Sequence, residues 1–124
     1  MARLELTPTS LVVHVTGLDR ILTLHSRLEI PREHIVSVTY DPQEAQREFD
    51  SFWRETYVPG AHRPGGALAG TFVEHGERIF WDVHHPQKTV IITLAHEQFN
   101  KIIVEVEDPQ RVAQSIQEQL QALA

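Results

Sequence analysis

The chain contains no cysteine. Disulfides, thiolate nucleophiles and cysteine-based zinc sites are therefore excluded. Cations are scarce as well: Lys and Arg number 11 against 17 Asp and Glu, a net charge of −6 with histidine neutral. Phosphate contact needs an excess of the opposite sign, so no nucleic-acid partner is expected. Lys88 and Lys101 are the two lysines, too few for the basic clusters that hold a protein on anionic lipid. Long hydrophobic runs are missing too. Val90-Ile91-Ile92 and Ile102-Ile103-Val104 fall far short of the roughly 20 residues that cross a bilayer. Met1 to Leu6 holds no apolar segment of signal-peptide length, and neither end carries a lipidation pattern. The expectation is a cytoplasmic protein without a membrane partner.

What is present suits one globular domain over residues 1–124. Its 41% hydrophobic content is enough for one core, and the length is too short for two domains of ordinary size. No linker, low-complexity segment or useful repeat interrupts it.

The first third reads as strands. Leu4 and Leu6 precede a Thr7-Pro8-Thr9 turn, and Leu11, Val13 and Val15 then alternate with Val12, His14 and Thr16. Leu18 to Leu24 fits a helical turn or a short strand. Leu28 to Ile30 and Ile35 to Val38 read as strands around Pro31 to His34. Asp41-Pro42 predicts a helix start, because proline at the first helical position lacks an N–H that would have no partner there anyway. Phe49, Phe52 and Trp53 share one face of that helix. Residues 58–66, Val-Pro-Gly-Ala-His-Arg-Pro-Gly-Gly, form a loop.

Four strands follow: Leu68 to Glu74, Arg78 to His84, Thr89 to Leu94 and Phe99 to Glu107, with turns at His75-Gly76-Glu77, around Pro86, and over Ala95 to Gln98. Asp108 and Pro109 then predict a helix start. Val112, Ile116, Leu120 and Leu123 fall on one stripe at spacings of 4, 4 and 3. That stripe has to lie on the sheet, because no other element is free to cover it.

About seven antiparallel strands closed by one C-terminal α-helix is a mostly β order that resembles a pleckstrin-homology-like barrel. The chain is also similar to a group of small bacterial proteins of unknown function with that fold. Leu28-Glu29-Ile30-Pro31 with His34-Ile35, Pro59-Gly60, Gly70-Thr71-Phe72, Phe80-Trp81-Asp82-Val83, and Phe99 with Ile103-Val104-Glu105 before Asp108-Pro109 carry the likeness. These positions are structural and carry no chemistry. The final helix lacks the Trp that many eukaryotic members have there. Residues 1–24 offer Arg3 and Arg20 alone, so lipid-phosphate binding does not transfer. The resemblance implies a binding or scaffolding module.

Histidine is abundant: positions 14, 25, 34, 62, 75, 84, 85 and 96. A zinc site needs three or four ligands that converge. No histidine lies on either predicted helix, and His84 and His85 are adjacent on a strand and point to opposite faces. Solvated surface histidines are expected, with no metal site and no cofactor. No serine sits in a Gly-x-Ser-x-Gly turn, and Pro64-Gly65-Gly66 lacks the Lys-Ser/Thr ending of a phosphate loop. Glu105 and Glu107 form a carboxylate pair on the last strand. Acid–base work would need one of them buried and shifted in pKa. No enzyme is expected.

Two candidate contact regions stand out. The loop holding Tyr57, His62 and Arg63 combines residue types favoured at binding hot spots. Trp53 is expected to pack with Phe49 and Phe52. If the strands pair in sequence through their hairpins, Val73, Phe80, Ile91 and Ile103 fall on one sheet face, opposite Ile79, Trp81, Val83, Val90, Ile92, Ile102 and Val104. With one face filling the barrel, the first group is left outside as an apolar row. The bland alternative is that residues 41–66 fold over it. The expectation is a non-catalytic module that binds protein, itself first, as a homo-oligomer. The alternative is a small-molecule protein or minor enzyme that takes an anionic ligand at residues 57–63, with His84 nearby.

Overall fold

The computed structural model describes residues 1–16, 26–56 and 68–122. Strands β1 (Ala2–Leu6), β2 (Ser10–Val15) and β3 (Arg27–Pro31) form an antiparallel sheet in that order. The Thr7 turn joins the first two. Its hydroxyl accepts the Ser10 backbone N–H at 2.9 Å, the local side-chain bond that threonine offers a turn. A 3₁₀ turn at Arg32–His34 leads into β4 (Ile35–Thr39), which belongs to a second sheet.

That second sheet has five strands. β4 is followed in the chain by helix α1 (Pro42–Thr56), then β5 (Leu68–Glu74), β6 (Glu77–Val83), β7 (Thr89–Leu94) and β8 (Lys101–Glu105). Helix α2 (Pro109–Ala122) ends the described chain. The spatial order is β4-β7-β8-β6-β5. β8 is therefore inserted between β6 and β7, parallel to β6 and antiparallel to β7.

This insertion corrects the expected arrangement of consecutive hairpins. β5 and β6 do form one, with Glu74 opposite Glu77. His75 at φ 52° and Gly76 at φ 79° supply the two left-handed residues of a type I′ turn. β6 and β7 do not pair. The chain leaves β6 at His84, passes over the end of β8, and enters β7 after a 3₁₀ turn at Pro86–Lys88. Among the described residues the two sheets do not close into one hydrogen-bonded barrel, and the strands number eight, with one parallel pair.

The layers follow from the register. Phe80 stands beside Ile102, and Ile102 opposite Ile92. These three share a core with Leu11, Val13, Leu28 and Ile30 of the first sheet and with Ala113 and Ile116 of α2. Trp81 stands beside Ile103, and Ile103 opposite Ile91. These three share the other core with Ile79, Val83, Leu68, and Ala45 and Phe52 of α1. Both faces of the five-stranded sheet are thus covered, which is why its strands read as continuous apolar runs.

The apolar row expected outside is accordingly inside. Phe80 and Ile103 are fully buried and Ile91 nearly so. Phe80 sits on the opposite face from Ile91 and Ile103, because β8 rather than β7 is its neighbour. Of the four, Val73 alone is exposed, at 64%. Ile91 and Ile103 are covered by α1, the bland alternative.

Asp41 caps α1 as expected: its Oδ1 accepts the Glu44 N–H at 3.1 Å. Ala45, Phe49 and Phe52 then face the sheet, where the Phe52 ring lies 4.9 Å from Phe72 and 6.2 Å from Trp81. Trp53 packs edge-on against both Phe49 and Phe52, as expected. At α2 the start falls at Pro109, but Asp108 has φ 52° and its backbone carbonyl, not its side chain, accepts the Val112 N–H. Val112, Ile116 and Leu120 lie on the core, joined by Ala113; Leu123 and the segment 18–24 are outside the described residues.

Gly70 has φ 137°, a conformation closed to L residues, and a Cβ there would meet the Phe72 ring at 3.4 Å. Gly70→Ala is expected to cost about 2 kcal/mol, read as a lower urea midpoint at unchanged slope. An unchanged midpoint would mean that β5 relaxes freely at this position.

Candidate ligand-binding cleft

α1 turns its apolar stripe to the sheet, which leaves Arg47, Glu48, Asp50 and Ser51 on the side toward the β5–β6 hairpin. The hairpin brings Glu74, His75 and Glu77 up to them. Between lies a cleft of about 500 Å³. Four carboxylates line it: Glu48, Asp50, Glu74 and Glu77.

Each acid has a different environment. Lys101, on β8, places Nζ 3.1 Å from Glu48 and 3.7 Å from Glu77. Burial pulls the Lys101 pKa down, but the Glu48 hydrogen bond and the charges of Glu48 and Glu77 outweigh it, so the ammonium is held above its ordinary value. Asp50 is exposed and accepts the Gln46 side-chain amide at 2.9 Å. Arg47 pairs with Glu44, one turn back on the same helix.

Glu74 is the unusual member. Its side chain is 7% exposed. Oε1 accepts the Ser51 hydroxyl at 2.9 Å, and the His75 ring nitrogen lies 3.9 Å away. Oε2 is buried and accepts no hydrogen bond among the described residues. Buried polar atoms ordinarily find partners, so this oxygen marks the cleft wall as chemically incomplete.

Glu105 is the other buried glutamate. It accepts the backbone N–H of His84 at 2.9 Å and of His85 at 2.5 Å, with the His85 ring nitrogen at 3.2 Å. Burial pushes the Glu105 carboxyl up, but these donors together hold it below the usual glutamate value. It stays ionised, the reverse of what a general acid needs. Glu107, its neighbour two residues on, is exposed. Asp82, also fully buried, lies 3.4 Å from the Met1 amino nitrogen.

Two described histidines meet carboxylates, His14 with Glu5 at 2.9 Å and His34 with Glu97 at 2.5 Å, and the His34 ring also lies 6.4 Å from that of His96. Among the described residues no three His, Asp or Glu side chains come together to hold a metal ion. Likewise, no described helix is long and apolar enough to cross a membrane.

The chain matches no protein-family model, no curated protein and no solved structure. Tyr57, His62 and Arg63, expected as binding residues, lie outside the described residues. The cleft draws instead on Ser51, Glu74 and Glu77, which no sequence motif singles out. One signal was available: Glu44, Arg47, Glu48 and Ser51 recur at helical spacing beside the apolar stripe of α1. Their meeting with the hairpin is set by how α1 docks.

Proposed function

We propose that this chain is a non-catalytic binding module that receives a segment of a partner protein in the cleft between α1 and the β5–β6 hairpin. The reading rests on one observation, the buried Glu74 with an unfilled carboxylate oxygen in the wall of a concave, charged surface. The frame around it is packed, with α1 held to the sheet by interlocked aromatic rings. The absence of catalysis is supported by how the polar groups are used. The Ser51 hydroxyl donates to Glu74 rather than to a histidine, and Glu105 is spent on backbone donors. A second copy docked through Phe80, Ile91 and Ile103 is not the partner surface, since those side chains lie inside.

We assign the fold to the pleckstrin-homology-like group on the strength of two sheets that share a core with a C-terminal helix. The inserted β8 and the intervening α1 are departures from the simple strand order of that group.

Selection of random displayed peptides on the immobilised protein tests the function. Enriched peptides are expected to bind the exposed-site variant Asp50→Arg about tenfold more weakly. Peptides that bind Asp50→Arg as well as the parent, or no enrichment at all, would remove the cleft as the binding surface.

A further inference from the structure

One cation of the chain itself already sits among the carboxylates of the cleft. Lys101 Nζ sits between Glu48 and Glu77 and satisfies one side of the wall. Elsewhere in the lining are Arg47, which pairs with Glu44; Asp50, which is exposed and accepts the Gln46 amide; and the buried Oε2 of Glu74. Ser51 occupies Oε1, so the carboxylate is oriented with one oxygen held and the other buried without a donor among the described residues. A buried carboxylate oxygen without a donor is costly, and a donor that carries positive charge offsets that cost best. Neutral donors lack the charge. An ammonium is a compact point charge whose three donors carry no planar fork. A guanidinium presents five N–H groups in a planar fork, enough to meet Glu74 Oε2 and a neighbouring carboxylate together.

On these grounds we infer that the cleft binds an arginine side chain of a partner protein, with the guanidinium on Glu74 Oε2 and flanked by Asp50. The inference rests on the cleft being the binding surface and names the group that it recognises. The overall charge of −6 would also draw a basic segment toward the molecule and make its capture salt-sensitive.

The probe is a blocked glycine pentapeptide with a central arginine, titrated into isotopically labelled protein and followed by the amide resonances of Ser51, His75 and Glu77. Saturable shifts are expected there. The same peptide with citrulline, which keeps the shape and loses the charge, is expected to bind at least ~tenfold more weakly. Glu74→Gln is expected to abolish the arginine preference. The citrulline comparison stands even if that variant folds poorly, because it changes only the ligand.

Equal binding of the arginine and citrulline peptides would overturn the assignment. So would shifts confined to other parts of the protein, or magnesium chloride alone reproducing the pattern. If blindly selected peptides need Asp50 while arginine peptides leave these resonances unmoved, the guanidinium assignment falls and the binding surface stands. If nothing selected depends on Asp50, both fall.

Discussion

Ile103→Lys is expected to leave the protein largely unfolded in water. Ile103 is fully buried on β8, the central strand of its sheet, between Trp81 and Ile91 and beneath α1. Lysine there either buries an ammonium in an apolar layer or drives α1 off the sheet. The cost is about 5 kcal/mol, on the scale of the whole stability of a domain this size. Circular dichroism and a urea titration read it directly. Val73→Lys is the control: that side chain is 64% exposed, so a change within about 0.5 kcal/mol is expected. A cooperative, native Ile103→Lys protein with an altered oligomeric state would mean that Ile103 faces outward after all.

Glu105→Ala is expected to cost about 3 kcal/mol, because it strands the His84 and His85 backbone donors where the chain crosses over β8. The loss should depend on pH in one direction. The native carboxyl titrates below its ordinary value, so its contribution is complete above the unfolded value of about 4.3 and is lost as pH falls through the native one. Urea midpoints of parent and variant should therefore differ most at neutral pH and converge in acid. A gap that stays constant from neutral pH down to about 3 would show that the carboxylate charge contributes nothing to the crossing.

Much of the local structure was legible in the residues. Period-two alternation located β2, and turn signals bounded β5 and β7 closely; the turn expected at His75-Gly76-Glu77 has two left-handed residues, His75 and Gly76. Asp41-Pro42 and Asp108-Pro109 marked the helix starts. What alternation cannot supply is which strand lies beside which. It groups Phe80 with Asp82 on one side of β6 and Trp81 with Val83 on the other, and is silent on whether Ile102 or Ile103 joins Phe80. Pairing with β8 decides that, and the decision moved Phe80 from the expected outer row into the core shared with the first sheet. The same limit hid the cleft. The acidic face of α1 was readable as a pattern, but its meeting with Glu74 depends on where Phe49 and Phe52 anchor the helix, a long-range contact.

The inserted strand also dictates an order of events during synthesis. β6 and β7 emerge from the ribosome with no ladder between them, each exposing backbone donors and acceptors toward a gap that Lys101–Glu105 fills last. Until β8 pairs, the facing edges of β6 and β7 have no ladder partner, and joining them is a long-range event of the kind that folds slowly. Chaperone demand and co-translational aggregation should therefore peak just before β8 appears.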